Sequence, residues 1–299
     1  TQATFGPTLP EIDRVQSMGY EAWLAEQFAA PPSSFVGFLN GITGETVDEP
    51  HLQEAWMTHA MVGPDQLRQR VANALLEIMV VSDHNGLEGA SYALAAYMDV
   101  LMANAFGTYR QLLEQVTLNP AMGKYLDMLK NRKEDPKTGR RPNENYAREV
   151  LQLFSIGVFE LNLDGTLKLD QAGVPIPTYT EEEVAGLSKV FTGWTYYQTV
   201  QPYKFSSAPK DWLHPMMAIA SEHSTVEKPL LDGVVLPAGQ TPEKDLADAL
   251  DLIANPPNVG PFISRQLIQR LVTGNPTRGY IQRIATVFNN NGNGVRGDL

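Results

Sequence analysis

The side chains best suited to chemistry fall in two groups. The first lies within residues 142–157, where Glu144, Arg148 and Glu149 follow Pro142-Asn143. Glu144 and Arg148 are spaced i, i+4 and can pair along one helix face. Asn145, Glu149 and Gln152 line a neighbouring face. Carboxylates projected from such a face into a cleft can ligate a divalent metal or move protons. The second group is His214, the adjacent Glu222-His223, and Lys228. A histidine beside an acid on a loop can serve as a general base or a metal ligand. His214 and His223 lack the i, i+4 spacing of helical metal-binding pairs, which neither requires nor excludes a shared site.

The sharper reading joins the groups: His223 and Lys228 fold over the Glu144/Glu149 face and complete one polar pocket. Glu144, Arg148, Glu149, His223 and Lys228 are then the catalytic set, with Glu149 and His223 as ligands of a divalent metal. Glu149 is the better carboxylate, because Glu144 already has a local partner in Arg148. The plainer reading is a capped helix with a polar face and an ion pair worth about 0.3–0.5 kcal/mol, plus a loop histidine bonded to backbone.

Other signatures narrow the chemistry. There is no Gly-x-Ser-x-Gly elbow, no Ser-x-x-Lys set, no His-Glu-x-x-His pair and no phosphate-binding Gly-rich loop. Asn289-Asn290-Asn291-Gly292-Asn293-Gly294 has oxygen ligands at calcium-loop spacing but no charge, so a helix-ending turn is the better fit. Trp194, Tyr196, Tyr197, Tyr203, Phe205 and Trp212 can form a sugar- or polymer-binding face, or cover the helical core.

The elements that must position these residues are mostly helical. Helical spacing predicts helices over residues 10–18, 20–28 and 52–62, then 65–82, where Leu67, Val71, Leu75, Ile78 and Met79 recur at threes and fours. Residues 91–105 and 108–118 follow, and Asn119-Pro120 opens a short helix with Met122, Tyr125 and Leu126. In 142–157, Asn143 is placed as N-cap, and Ala147, Val150, Leu151 and Phe154 form the buried stripe. After Gly157, segments 158–161 and 166–169 flank Asn162-Leu163-Asp164-Gly165, a hairpin turn sequence. Thr180 and Glu183 form a capping box for a helix to about Phe191. Residues 193–239 are punctuated by proline and read as irregular, and long irregular segments are usually functional or ordered by partners. Helices return over 241–253, 259–271 and 277–288.

Composition sets the outer limits. Hydrophobic residues make up 43% and charged residues 19%, a globular and not a disordered balance. The net charge of −11 argues against a general nucleic-acid binder, which needs concentrated Lys and Arg. The one basic cluster, residues 130–141, also holds Glu134 and Asp135 and reads as a solvated loop. The chain has no cysteine, which excludes disulfides, thiolate metal sites and cysteine nucleophiles. No apolar run is long enough to span a membrane. Residues 1–30 carry no signal-peptide pattern; if the parent protein is exported, its signal is expected upstream of Thr1.

The segment Arg141-Pro142-Asn143-Glu144-Asn145-Tyr146-Ala147-Arg148-Glu149-Val150-Leu151-Gln152-Leu153-Phe154-Ser155-Ile156-Gly157 resembles the signature of a bacterial family, "domain of unknown function eighteen hundred". Further matches follow in order: Ala3-Thr4-Phe5-Gly6-Pro7-Thr8, Asn119-Pro120-Ala121-Met122, Phe191-Thr192-Gly193-Trp194, His223 with Lys228, residues 262–268, and residues 291–299. The resemblance implies an exported bacterial protein, in the periplasm, at the cell surface or secreted, and carries no reaction with it. It implies as partner the product of a neighbouring gene of the family "domain of unknown function fifteen hundred and one". It also implies that further helix follows Gly297-Asp298-Leu299. One departure stands out: the family commonly has Asp after the histidine, where this chain has Ser224.

The expected fold is mainly α, an antiparallel bundle-like domain with a small β-hairpin and an irregular Pro-rich insertion. Residues 1–157 form its helical part, 158–240 the hairpin, a short helix and the insertion, and 241–299 C-terminal helices packing on the first part. The whole is one domain, expected to be truncated at both ends. Two functions are open: a metal-assisted enzyme with a carboxylate/His pocket, or a non-catalytic cell-surface or assembly component that binds a protein or polysaccharide.

Overall fold

The computed structural model describes residues 2–299. It is mainly helical, with two small antiparallel two-stranded sheets. The helices are α1 Leu9–Met18, α2 Tyr20–Ala29, α3 Phe35–Asn40, α4 Glu49–Val62, α5 Gln66–Ile78, α6 Ser91–Asn104, α7 Tyr109–Leu118, α8 Pro120–Tyr125 and α9 Asn145–Gln152. They continue with α10 Glu181–Val190, α11 Pro242–Ala254, α12 Val259–Leu271 and α13 Arg278–Asn289. Strands β1 Trp194–Thr195 and β2 Met217–Ala218 pair with each other, as do β3 Lys228–Pro229 and β4 Val235–Leu236.

Local chemistry accounts for most boundaries. Thr108, Asn119, Thr180, Thr241 and Thr277 each cap a helix by accepting a backbone N–H. The Thr180/Glu183 capping box closes as its spacing predicts. The expected hairpin forms too: Asn162 N–H donates to Thr166 O at 2.7 Å, and Leu161 pairs with Leu167. Residues 175–177 extend the hairpin, pairing with Leu169 and Phe159.

The signature helix is shorter than its sequence suggests. α9 ends at Gln152, and the chain then tightens so that the Ile156 and Gly157 N–H groups both reach Leu151 O at 3.0 Å. Gly157 closes this turn at φ +69°, and a Cβ there would stand 2.6 Å from the Phe262 ring. Ala147, Val150, Leu151 and Phe154 are all buried, as the apolar spacing requires. Tyr146 is buried beside them, its hydroxyl 2.6 Å from Thr117 Oγ1 and its ring edge-on to Phe191. On α2, Trp23 is buried, while Tyr20, Leu24 and Phe28 are exposed.

The core continues through Leu75, Tyr97, Leu101, Tyr109, Leu113, Val184, Leu187, Leu250 and Ile263. α10 occupies a central place for the argument below, because it packs against α9, β3 and α11. At Gly186 a Cβ would lie 1.8 Å from Pro229 O, so only glycine lets α10 approach β3 this closely.

Candidate functional site

The five predicted residues separate into two groups at opposite ends of α10. At its N-terminal end, Arg148 forks onto Glu181, with both nitrogen–oxygen distances at 2.8 Å. Its contact with Glu144, spaced i, i+4, is longer at 3.4 Å. The Glu181 and Glu144 charges hold the Arg148 guanidinium above its ordinary range, the Glu181 hydrogen bonds contributing most. Glu149 stands next to this pair, its side chain without a hydrogen-bond partner among the described residues. Burial pushes its carboxyl above the ordinary value, against a smaller opposing pull from Arg148.

Past the C-terminal end of α10, Thr192 receives the second group. Eleven residues separate Glu181 from Thr192 in sequence, about 15 Å along a helix axis. No hydrogen bond or ion pair joins the two groups among the described residues.

His223 and Lys228 meet on a residue that sequence reading missed, Asp245 of α11. His223 Nε2 lies 2.8 Å from Asp245 Oδ2, and Lys228 Nζ lies 2.7 Å from the same oxygen. Lys228 also donates to Val226 O at 3.0 Å. All three side chains are shut off from solvent, at 1%, 0% and 0% exposure. The opposing effects on Asp245 are clear in direction. Burial raises its carboxyl, but the hydrogen bonds and charges of His223 and Lys228 together pull it below the ordinary range.

The other face of the imidazole fixes its protons. Nδ1 lies 2.9 Å from Thr192 O. Thr192 Oγ1 spends its single proton on Lys189 O at 2.6 Å, so it cannot donate to the ring. Both imidazole nitrogens are therefore occupied by oxygen atoms of the protein, Asp245 Oδ2 on one side and Thr192 O on the other. Gly193 makes this seat possible: at φ +88° its missing Cβ would stand 3.0 Å from His223 Cβ. The Phe191-Thr192-Gly193-Trp194 motif thus forms a backbone seat for His223.

Ser224 has its own partner. Its Oγ donates to Glu134 Oε1 at 3.0 Å, and its N–H donates to Thr192 Oγ1. An aspartate at this position would set a second carboxylate against Glu134. The histidine instead draws its carboxylate from α11, far along the chain. Nothing in the spacing announces Asp245, which reads as an ordinary first-turn acid after the Thr241 cap.

Elsewhere, His214 pairs with Asp211 at 2.9 Å on the surface and takes no part in the buried group. The Asn-rich loop after α13 turns its side-chain oxygens on its own backbone: Asn290 Oδ1 accepts from Gly292 and Gly294, and Asn291 Oδ1 from Asn293 and Val295. Among the described residues, no three or more His, Asp or Glu side chains are grouped to hold a metal, and no helix is long and apolar enough to cross a membrane.

The aromatic group divides. Trp194, Tyr196 and Phe205 are buried; Trp194 and the half-buried Trp212 pack on the helical core, and Tyr196 stands edge-on to Trp212. Tyr197 and Tyr203 remain exposed, and Tyr197 borders an open groove of about 690 Å³ with Gln198, Lys204, Lys210, Asp211 and His214. The Tyr197 and His214 rings are tilted by 32° with centroids 5.0 Å apart.

The chain belongs to the family described as "Protein of unknown function (DUF1800)", which matches residues 1–299, the full span. No curated protein and no solved structure matches it.

Proposed function

We propose that this domain is a non-catalytic component of an exported bacterial assembly, and that it binds a polysaccharide on the groove of residues 197–214. The observation that carries this reading is the Tyr197–His214 ring pair, which borders an open concave surface. Exposed flat rings offer apolar faces to sugar C–H groups, and Gln198, Lys204 and Asp211 beside them offer donors and acceptors for hydroxyls. A groove of this size lies within the range of small-ligand sites. The separation of the two polar groups also favours binding over catalysis, since catalysis by the five residues requires them to share one cavity. The product of the neighbouring gene named above is the proposed protein partner in the assembly, and export rests on the family resemblance.

The competing reading is a metal-assisted reaction at Glu149, whose partnerless carboxyl and raised proton affinity are the features in its favour. One set of measurements separates them. Purified full-length protein is titrated with cellulose, chitin and peptidoglycan oligosaccharides, and its metal content is compared with that of Glu149→Gln. The binding reading expects saturable affinity for one of these glycans, weakened about fivefold or more by Tyr197→Ala or His214→Ala. Absence of glycan binding, or binding indifferent to both substitutions, overturns it. Divalent metal retained by the wild type and lost in Glu149→Gln supports the enzyme instead.

A further inference from the structure

The basic segment 130–141 carries six cations against Glu134 and Asp135 in sequence, and folding takes those two carboxylates away from the cations that face outward. Glu134 turns inward to Ser224, and its Oε2 is buried. Asp135 is consumed by its own turn, accepting from Lys137 N–H at 3.0 Å and Thr138 Oγ1 at 3.0 Å. What remains facing outward is positive charge. A cleft of about 370 Å³ is lined by Lys124, Lys130, Arg132, Arg140 and Arg141 against a single carboxylate, Asp127.

The cleft is built, not incidental. Asn131 and Asn143 clasp its two walls: Asn143 N–H donates to Asn131 Oδ1 at 2.8 Å, and Asn131 Nδ2 donates to Asn143 O at 3.1 Å. Asp135 N–H closes the far end on Arg140 O at 3.0 Å. Asp127 and Lys130 are both held in the left-handed region, at φ +62° and +65°, a costly conformation for residues with side chains. Lys130 N–H is tied to Trp194 O at 2.8 Å and its Nζ to Ser206 O at 2.9 Å, so it cannot swing away.

The donors in the cleft are only partly used. Arg132 engages Glu222 through Nε and Nη2 at 2.9 Å each, which leaves Nη1 free. Arg140 uses Nε on Lys133 O and keeps both terminal nitrogens. Lys124 and Arg141 have no hydrogen-bond or ion-pair partner among the described residues. Asp127 is itself engaged by Asn145 Nδ2 at 3.3 Å. Burial, with a smaller contribution from the nearby Lys210 charge, pulls Lys130 below its ordinary range.

We propose that this cleft binds a compact, multiply charged phosphate ligand. Guanidinium forks match phosphate oxygens in pairs, and lysines add point charges. Arg132 is already paired with Glu222, so Lys124, Lys130, Arg140 and Arg141 stand against the single lining carboxylate Asp127, an excess that calls for several negative charges rather than one. The chain's net charge of −11 meanwhile repels a long polyanion that runs beyond the cleft, which favours a short ligand over nucleic acid. The site is distinct from the groove of residues 197–214 and does not depend on it.

The probe is sodium tripolyphosphate, titrated calorimetrically into the full chain at about 50 mM and about 200 mM salt. Saturable binding that weakens with salt is expected. Arg141→Ala and Lys124→Ala should each weaken it about tenfold, while Arg283→Ala on α13 and Tyr197→Ala leave it unchanged. Arg141 has no hydrogen-bond or ion-pair partner among the described residues, so Arg141→Ala should keep the wild-type unfolding midpoint; the Lys124 stem packs on Gly86, so the Lys124→Ala result is read alongside its own midpoint. Three results overturn the proposal: no saturable binding, equal loss in Arg283→Ala, or a single-stranded oligonucleotide binding more tightly than tripolyphosphate.

Discussion

Replacing Asp245 with asparagine removes the one negative charge that faces the buried Lys228 ammonium and the His223 ring. In the native protein Asp245 Oδ2 takes Lys228 Nζ at 2.7 Å and His223 Nε2 at 2.8 Å, with all three side chains enclosed. Asp245→Asn leaves the ammonium and the imidazole around a neutral amide. Breaking a buried ion pair by removing one partner costs about 3–5 kcal/mol. That is a large share of the 5–15 kcal/mol typical of a whole domain. Urea unfolding followed by circular dichroism reads the loss directly. The pH dependence gives an independent check. The folded-state proton affinity of Asp245 is lowered below the ordinary 3.8, so its contribution is complete above that value and is lost as pH falls through the folded-state value. The gap between wild type and Asp245→Asn should therefore stay flat above about pH 5 and close in stronger acid. A double variant with Lys228→Met should lose less than the two single losses combined, by about 0.5–3 kcal/mol. A loss under about 1 kcal/mol in Asp245→Asn, or strict additivity with Lys228→Met, would refute the account.

Gly186→Ala forces a Cβ to within 1.8 Å of Pro229 O; it should cost at least the about 1–3 kcal/mol of overpacking, read as a lowered thermal midpoint, and an unchanged midpoint would mean that α10 and β3 are not tightly apposed. Glu149→Gln acts in the opposite direction from Asp245→Asn. Because burial raises this carboxyl, its ionisation weakens the fold as pH rises past the ordinary value of 4.5, so the variant should gain stability relative to wild type at neutral pH but not near pH 4. Equal effects at both pH values would show that Glu149 is not desolvated.

What could be read from residues alone was whatever depends on near neighbours in the chain. The capping box at Thr180 and Glu183, the hairpin turn at Asn162–Gly165 and the stripe of Ala147, Val150, Leu151 and Phe154 are set by spacings of two to seven residues, and each forms. Composition, the absence of cysteine and the ordered motifs of the family belong to the same class, as does the mainly helical fold. The polar network needed the tertiary structure. Asp245 reaches His223 and Lys228 only because α11 packs against α10 and the insertion folds between them. No rule of local spacing links residues 22 and 17 positions apart through an irregular segment. Glu181 likewise displaces Glu144 as the main partner of Arg148 across 33 residues, since two helix ends meet there. Summed along the chain, Glu134 and Asp135 offset two of the six cations of the basic segment. Folding turns one inward and the other onto its own backbone, and electrostatics acts through distance in space, so the cleft stays positive.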